Sequence, residues 1–445
     1  MRGAQARHLS AATPPFEWGV ATSAYQIEGG NDRGGRGPSI WDSWGPSPVN
    51  SYELWRADVQ AMRELGVKNY RFSISWPRMF PMGAGAPNAE GVRFYSTFID
   101  ALLEAGITPW ITLYHFDLPQ ALQDAYGGWA SARIVPDYAA YAEAAFRQFG
   151  GRVKRWLTFN EPKNFCFLGY ATAVMAPFLK DAGGADAWHC TLHVLQAHAE
   201  AVARFRRIVP GGKISMALDS MWALPRSSSA VDTEAAQRYL DFKLGIYADP
   251  LWFGAWPASV EQRIAALPPL PPALAARLNA SQPDFFAINA YSSLYIYDQA
   301  NATGGYGEGR VDFSESYHGG ANNATLGALA DSDWLYVHPD GMRRLLAYVS
   351  KRYSPAEVVV SENGVDDPGE AALGLPDALR DDFRTEFFRG YVQAAEDAVA
   401  QDAVPLRYYF VWSLLDNFEW QMRMTKRFGI VCVKTMPDVI ACHLK

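Results

Sequence analysis

The 445-residue sequence is poor in the features that mark several large functional classes. It holds only four cysteines, Cys166, Cys190, Cys432 and Cys442, at spacings that fit neither a zinc motif nor a Cys-x-x-Cys pair. They read as free thiols, which points to a reducing compartment. No apolar run reaches the length of a bilayer span, so no membrane-spanning helix is expected. Met1–Ser10 carries charge but no apolar stretch follows it, so no secretory signal is expected and a cytoplasmic location is. The Asn-x-Ser/Thr triplets at Asn279, Asn301 and Asn323 then read as chance matches. There is no GxGxxG after a strand and no Walker pattern, which argues against a nucleotide site. Basic residues are outnumbered, 40 Lys and Arg against 47 Asp and Glu, for a net charge of −7. A sequence-independent nucleic-acid binder needs a basic face, so that class is set aside.

What the chain does have is apolar and aromatic bulk. Hydrophobic residues make up 49% and charged residues 20%, a globular composition. Aromatics reach 14%, which supplies core packing first and, in a cleft, flat faces for sugars or bases.

The chain is organised around Thr158–Pro162, Thr-Phe-Asn-Glu-Pro, which follows the strand-like run Val153–Leu157. A carboxylate beside a carboxamide at the end of a buried strand is costly, so Glu161 needs partners or a chemical task. A second run, Glu357–Ser361, delivers Glu362 in Ser-Glu-Asn-Gly. Around these two, strand-like and helical segments alternate. Strands are predicted over 16–29, 67–76, 107–116, 153–162, 213–220, 284–292, 357–362 and 406–412. Helices are predicted over 51–65, 91–105, 137–149, 188–208, 232–247, 341–353 and 378–401. Eight such units without a composition break predict a single (β/α)8 barrel over 15–430, preceded by a leader, 1–14, and followed by an atypical tail, 431–445. Gln26, Arg71, His115, Asn160, Glu161, Asn289, Glu362 and Trp412 all fall at predicted strand ends. In such a barrel those ends share one face, where active sites are built.

Two carboxylates flanked by neutral amides, an imidazole and indoles suit glycoside hydrolysis. One acid protonates the leaving oxygen while a carboxylate meets the anomeric carbon. Each acid taken alone reads equally well as a salt-bridged rim carboxylate. Two other classes stay open: a catalytically silent glycan-binding barrel, and a transglycosylase that diverts the same intermediate. No cofactor or metal is expected. The partner is a small-molecule β-glucoside or oligosaccharide.

The motifs together resemble family 1 of the glycoside hydrolases, the retaining β-glucosidase family. The resemblance rests on Phe16–Gly29, Tyr70–Trp76, Tyr114–Asp117, Thr158–Pro162, Asn289–Tyr291, Ser332–Tyr336, Ser361–Gly364 and Trp412–Trp420. It implies Glu161 as acid/base and Glu362 as nucleophile. It implies that Gln26, His115, Asn160, Asn289, Glu419 and Trp420 bind sugar hydroxyls, with Trp412 as the floor. Tyr291 would steady the nucleophile with Arg71 beneath it, and Trp334 would face the leaving group. In the family's 6-phospho-glycosidases a Ser replaces the residue matching Glu419, with Lys and Tyr seven and nine residues later. Here those later positions are Lys426 and Phe428, so unphosphorylated glucose, galactose or fucose is expected.

The sequence departs from the family in a short loop near 45–50. It departs again in the tail Val431–Lys445, which leaves open whether an eighth crossover helix is present. His189, His193 and His198 lie on one predicted helix and read as packing residues. Trp55, Trp76, Trp110 and Trp156 read as core.

Overall fold

A computed structural model describes residues 15–181, 183–319, 324–436 and 439–444. The leader 1–14 lies outside them.

Apolar runs become strands buried on both faces, as an all-parallel sheet requires. The barrel strands are β1 (Glu17–Ala21), β2 (Asn69–Ser73), β3 (Thr108–Tyr114), β4 (Arg155–Asn160), β5 (Lys213–Asp219), β6 (Phe286–Asn289), β7 (Val358–Asn363) and β8 (Leu406–Trp412). Each pairs in parallel with its sequence neighbours, and β8 pairs with β1 to close the ring. The main covering helices are α1 (Ser51–Glu64), α2 (Ala89–Glu104), α3 (Ile134–Phe149), α4 (Pro162–Tyr170), α5 (Ala185–Ile208), α6 (Ala230–Leu240), α7 (Pro339–Tyr353) and α8 (Asp382–Asp402). Helix α3 shows why they lie where they do: Tyr138, Tyr141, Ala142, Ala145, Phe146 and Phe149 recur at helical spacing and are all buried. Helix α2 starts where the Asn88 side chain accepts from the Glu90 N–H and is followed by Gly106 at φ 73°.

Several elements differ from the sequence reading. The first strand stops at Ala21, and Gln26 sits on a separate helical turn, Ala24–Ile27, because the polar side chains there need the mouth of the barrel rather than its wall. Arg71 lies in the middle of β2, not at its end. The predicted helix 232–247 is α6, a π-helical turn (Asp241–Gly245) and a further helix (Ile246–Phe253). A three-stranded sheet, Trp222–Pro225, Ser293–Asp298 and Phe313–Ser316, stands over the mouth beside β5 and β6. Among the described residues no α-helix follows β8; Val431–Met436 and Val439–Leu444 form an antiparallel hairpin instead.

The free-thiol reading fails for two cysteines. Cys166 on α4 and Cys190 on α5 form a disulfide, their Cα atoms 5.6 Å apart. The two helices pack side by side and bring together thiols 24 positions apart in the sequence, which local spacing cannot reveal. The cysteines therefore no longer speak for a reducing compartment. Cys432 is free and buried. The side chain of Cys442 is outside the described residues. Trp55, Trp76, Trp110 and Trp156 are core residues as read. His193 bonds through Nδ1 to the Trp129 carbonyl and His198 to the Thr158 hydroxyl, both at 2.8 Å, which are packing roles.

The disulfide predicts that Cys166 and Cys190 resist alkylation in the denatured protein until reductant is added. Peptide mass mapping checks this, and modification of both before reduction would contradict the pairing. Cys190→Ser is expected to lower unfolding stability by about 3 kcal/mol, the loop-closure value for a loop of this size.

Candidate active site

The C-terminal ends of the strands surround a cavity of about 390 Å³. Glu161 follows β4 and caps α4. Its backbone is left-handed, φ 41° and ψ 59°, a strained conformation for a residue with a Cβ. Pro162 starts the helix directly behind it. The strand pairing also slips near both acids, between Leu157 and Asn160 against β5 and between Val360 and Glu362 against β6. Such irregularities re-aim side chains at barrel rims.

One buried cation ties the site together. Arg71 is 1% exposed. Its Nη1 donates to Glu362 Oε1 at 2.7 Å and to the Ser361 carbonyl at 2.8 Å. Its Nη2 donates to Asn160 Oδ1 at 2.5 Å, and its Nε donates to Thr112 Oγ1 at 3.1 Å. Asn289 extends the network, donating from Nδ2 to Asn160 Oδ1 at 3.1 Å and to Glu161 Oε1 at 2.7 Å, and accepting from Ser361 Oγ at 2.6 Å. The two acids thus have unlike partners. Glu362 is held by a guanidinium and by the Tyr291 hydroxyl, which donates to Oε2 at 2.8 Å. Glu161 is held by two neutral amides, Asn289 and, at 2.8 Å on Oε2, Asn164.

Burial raises the pKa of both acids. Glu362 is pushed up to about 7, with burial and the neighbouring Glu161 charge raising it and Arg71 and Tyr291 pulling it down. Because they sit in each other's field, the two titrate as a pair. Arg71 and Tyr291 bond directly to Glu362 and favour its ionised form, whereas only neutral amides bond to Glu161.

The rest of the cavity is neutral and aromatic. Asn160 Nδ2 and His115 Nε2 lie 3.2 Å apart. Burial and Arg71 push His115 well below its ordinary pKa, so the neutral ring accepts there from Asn160. His115 stacks on Trp412 at 5.6 Å with 15° between the rings, and on Trp420 at 6.1 Å. Gln26 donates to Glu419 Oε2 at 3.2 Å and to Asn417 Oδ1 at 2.8 Å, and accepts from Ser23 Oγ at 2.6 Å. Burial and the surrounding carboxylates push Glu419 well above the usual carboxylate range. Tyr291 meets Trp334 edge-on at 5.7 Å and Phe428 at 6.3 Å.

Every catalytic or sugar-binding candidate named from the sequence lies on this cavity wall except Arg71, which lies directly behind it. Lys426 turns to Asp331, 2.8 Å away, and is not part of the cavity wall. Sequence reasoning missed Asn164, although it stands one helical turn after Glu161. It also missed Asn417, Lys163 and Asp219. Asp219 ends β5, the one barrel strand past the first to which the sequence reading gave no polar ending. Among the described residues no group of three or more His, Cys, Asp or Glu is placed to hold a metal, and no helix is long and apolar enough to cross a membrane.

The chain is similar to known proteins in both sequence and fold. Beta-glucosidase 42 of Arabidopsis thaliana is 40% identical over 443 residues, which is 96% of this chain and 90% of that protein. The crystal structure of a rice beta-glucosidase superposes with a TM-score of 0.92 at 36% identity, covering 97% of this chain and 95% of its own. A mutant of that rice enzyme, in a covalent complex with Glc, matches with the same TM-score, identity and coverage. The model of glycosyl hydrolase family 1 matches residues 12–440. The chain belongs to glycosyl hydrolase family 1.

Proposed function

We propose that this chain is a retaining β-glucosidase that removes a terminal β-glucosyl residue through a covalent glycosyl-enzyme intermediate. The observation that carries the reading is the unlike partnering of the two acids. Glu362, paired with Arg71 and Tyr291, is the nucleophile on the anomeric carbon, and Glu161, held by amides, protonates the leaving oxygen. Glu161 then takes a proton from the water that releases the sugar. Gln26, His115, Asn160, Asn289, Glu419 and Trp420 bind its hydroxyls over the Trp412 floor, and Trp334 faces the aglycone. The carboxyl of Glu419 would repel a phosphate and Lys426 is tied to Asp331, which supports an unphosphorylated sugar. The covalent Glc complex of the rice relative supports the two-step route.

Release of nitrophenol from 4-nitrophenyl β-glucoside tests the activity. Glu362→Gln is expected to abolish it, by at least 10³-fold, because no other group can form the ester. Glu161→Gln is expected to slow glucosides with poor leaving groups far more than the nitrophenyl substrate, since only the former need a proton. Equal losses would contradict the acid assignment.

The proton states also set a pH profile. Activity rises with pH as Glu362 ionises and falls as Glu161 loses its proton, so kcat/KM is bell-shaped. Burial raises both groups, which places the acid limb above the ordinary carboxylate range. Glu161→Gln is expected to remove the alkaline limb and keep the acid one. Retention of the alkaline limb would assign it to another group.

A further inference from the structure

A short helix presents the acid Glu161. Helix α4 has nine residues, too few to be stable without its packing. Glu161 caps it in the left-handed region, a backbone state that persists only where the surroundings impose it. Three residues on, Asn164 returns its amide to Glu161 Oε2 at 2.8 Å. Two residues further, Cys166 is bonded to Cys190 of α5, and both cysteines are fully buried. Residues two apart on a helix point about 200° apart around its axis. Asn164 faces the cavity, and Cys166 faces away from it toward α5.

The two helices are held differently. Helix α5 runs for 24 residues and is fixed by directional bonds along its length. Trp188 Nε1 donates to the Glu308 carbonyl at 3.1 Å, and the Thr191 hydroxyl accepts from Tyr247 at 3.2 Å. His193 bonds to the Trp129 carbonyl and His198 to Thr158 of β4. On α4 the inner contacts are between rings: Phe165 meets Tyr114 at 5.0 Å and Phe167 meets Trp188 at 4.9 Å. Tyr170 anchors the far end, donating to Gln123 Oε1 at 2.9 Å and accepting from the Trp129 N–H at 3.0 Å. Apolar contacts are non-directional and tolerate small slides. A disulfide does not, because its reach is set by covalent geometry. It sits closer along α4 to Asn164 and Glu161 than Tyr170 does, so it sets the depth at which the helix presents them.

Resting on the β-glucosidase reading above, we infer that the Cys166–Cys190 disulfide is a positioning tie for the acid/base: it pins α4 to α5 so that the Asn164 amide stays within hydrogen-bond reach of Glu161. Neither cysteine lines the cavity, so both act through Asn164. That amide holds one oxygen of Glu161 while Asn289 holds the other. With both oxygens held, the carboxyl cannot turn and its proton stays aimed at the leaving oxygen. If α4 drifts, one oxygen is released, and the steps that slow are those that need the proton. The amide also favours the ionised form, so its loss moves the Glu161 pKa further up.

The test is the ratio of kcat/KM for phenyl β-glucoside, whose leaving group needs a proton, to kcat/KM for 2,4-dinitrophenyl β-glucoside, whose leaving group does not. It is measured across pH, at a temperature where circular dichroism shows each variant folded. Cys166→Ala and Cys190→Ala are each expected to lower the ratio about 10-fold and to move the alkaline limb to higher pH. A disulfide that only stabilises the fold would lower the melting temperature and change neither. Asn164→Ala is expected to give the same pattern, and adding Cys190→Ala to it is expected to lower the ratio no further, because the tie acts through that amide. Cys166→Ala/Cys190→Val refills the space of the two sulfurs and carries the same test where a single substitution unfolds the chain. An unchanged ratio, an unmoved alkaline limb, equal losses on both substrates or a further fall in the Asn164→Ala/Cys190→Ala variant would overturn the tie while leaving the glucosidase reading intact. A folded wild type that cleaves neither glycoside would overturn both.

Discussion

The site depends on one buried guanidinium. Arg71 rises from the middle of β2, and its donors reach residues on β3, β4 and β7 at once. A cation so far from water is tolerated only when its charge and its N–H groups are matched, and Glu362 supplies the matching charge. The other donors fix Asn160, and through Asn160 and Asn289 the position of Glu161. A single ion pair thus places both acids and makes their surroundings unequal. In the proposed mechanism this difference sets the order in which two carboxyls of the same chemical type lose their protons.

The cavity is divided by the same economy of charge. At the sugar end, amides, a neutral His115 and indoles offer hydrogen bonds and flat faces without imposing charge on a neutral ring. Beyond Glu161, lysines and acids line the wall and compensate one another inside the protein. Glu161 stands at the boundary, where the bond to be broken would lie. Its left-handed backbone carries the chain from a barrel strand into α4 within one residue, which puts the acid and Lys163 on adjacent stretches of the wall.

The barrel was legible because its strands are buried on both faces and so appear as continuous apolar runs between helices of clear period. Leu406–Trp412 was located residue for residue. Gln26 was assigned to a strand because Phe16–Gly29 stays mostly apolar through the turn that ends β1, and no local signal separates the two. His115, Asn160, Glu161, Asn289 and Glu362 could be named as cavity residues because they fall at predicted strand ends, whereas Trp334, Glu419 and Trp420 came only from the family resemblance. Arg71 could be named but not placed at mid-strand, since its length, not its position, brings it to the site. Lys163 was passed over because a lysine early in a helix ordinarily reaches solvent; its burial comes from the sheet over the mouth, whose residues lie far along the chain. The Cys166–Cys190 pairing is of the same kind, a contact between helices that spacing does not encode.

The central claim is that Arg71 makes Glu362 the ionised partner and leaves the proton on Glu161. The most direct test is the pH dependence of covalent labelling by a 2-deoxy-2-fluoro-β-glucosyl fluoride, followed by peptide mapping. Fluoride leaves without a proton, so labelling needs an ionised nucleophile and no acid. The account predicts label on Glu362, with a rate that rises through one ionisation and then stays level where hydrolysis of ordinary glucosides falls. Label on another carboxylate, or a labelling rate that falls together with hydrolysis at high pH, would contradict it.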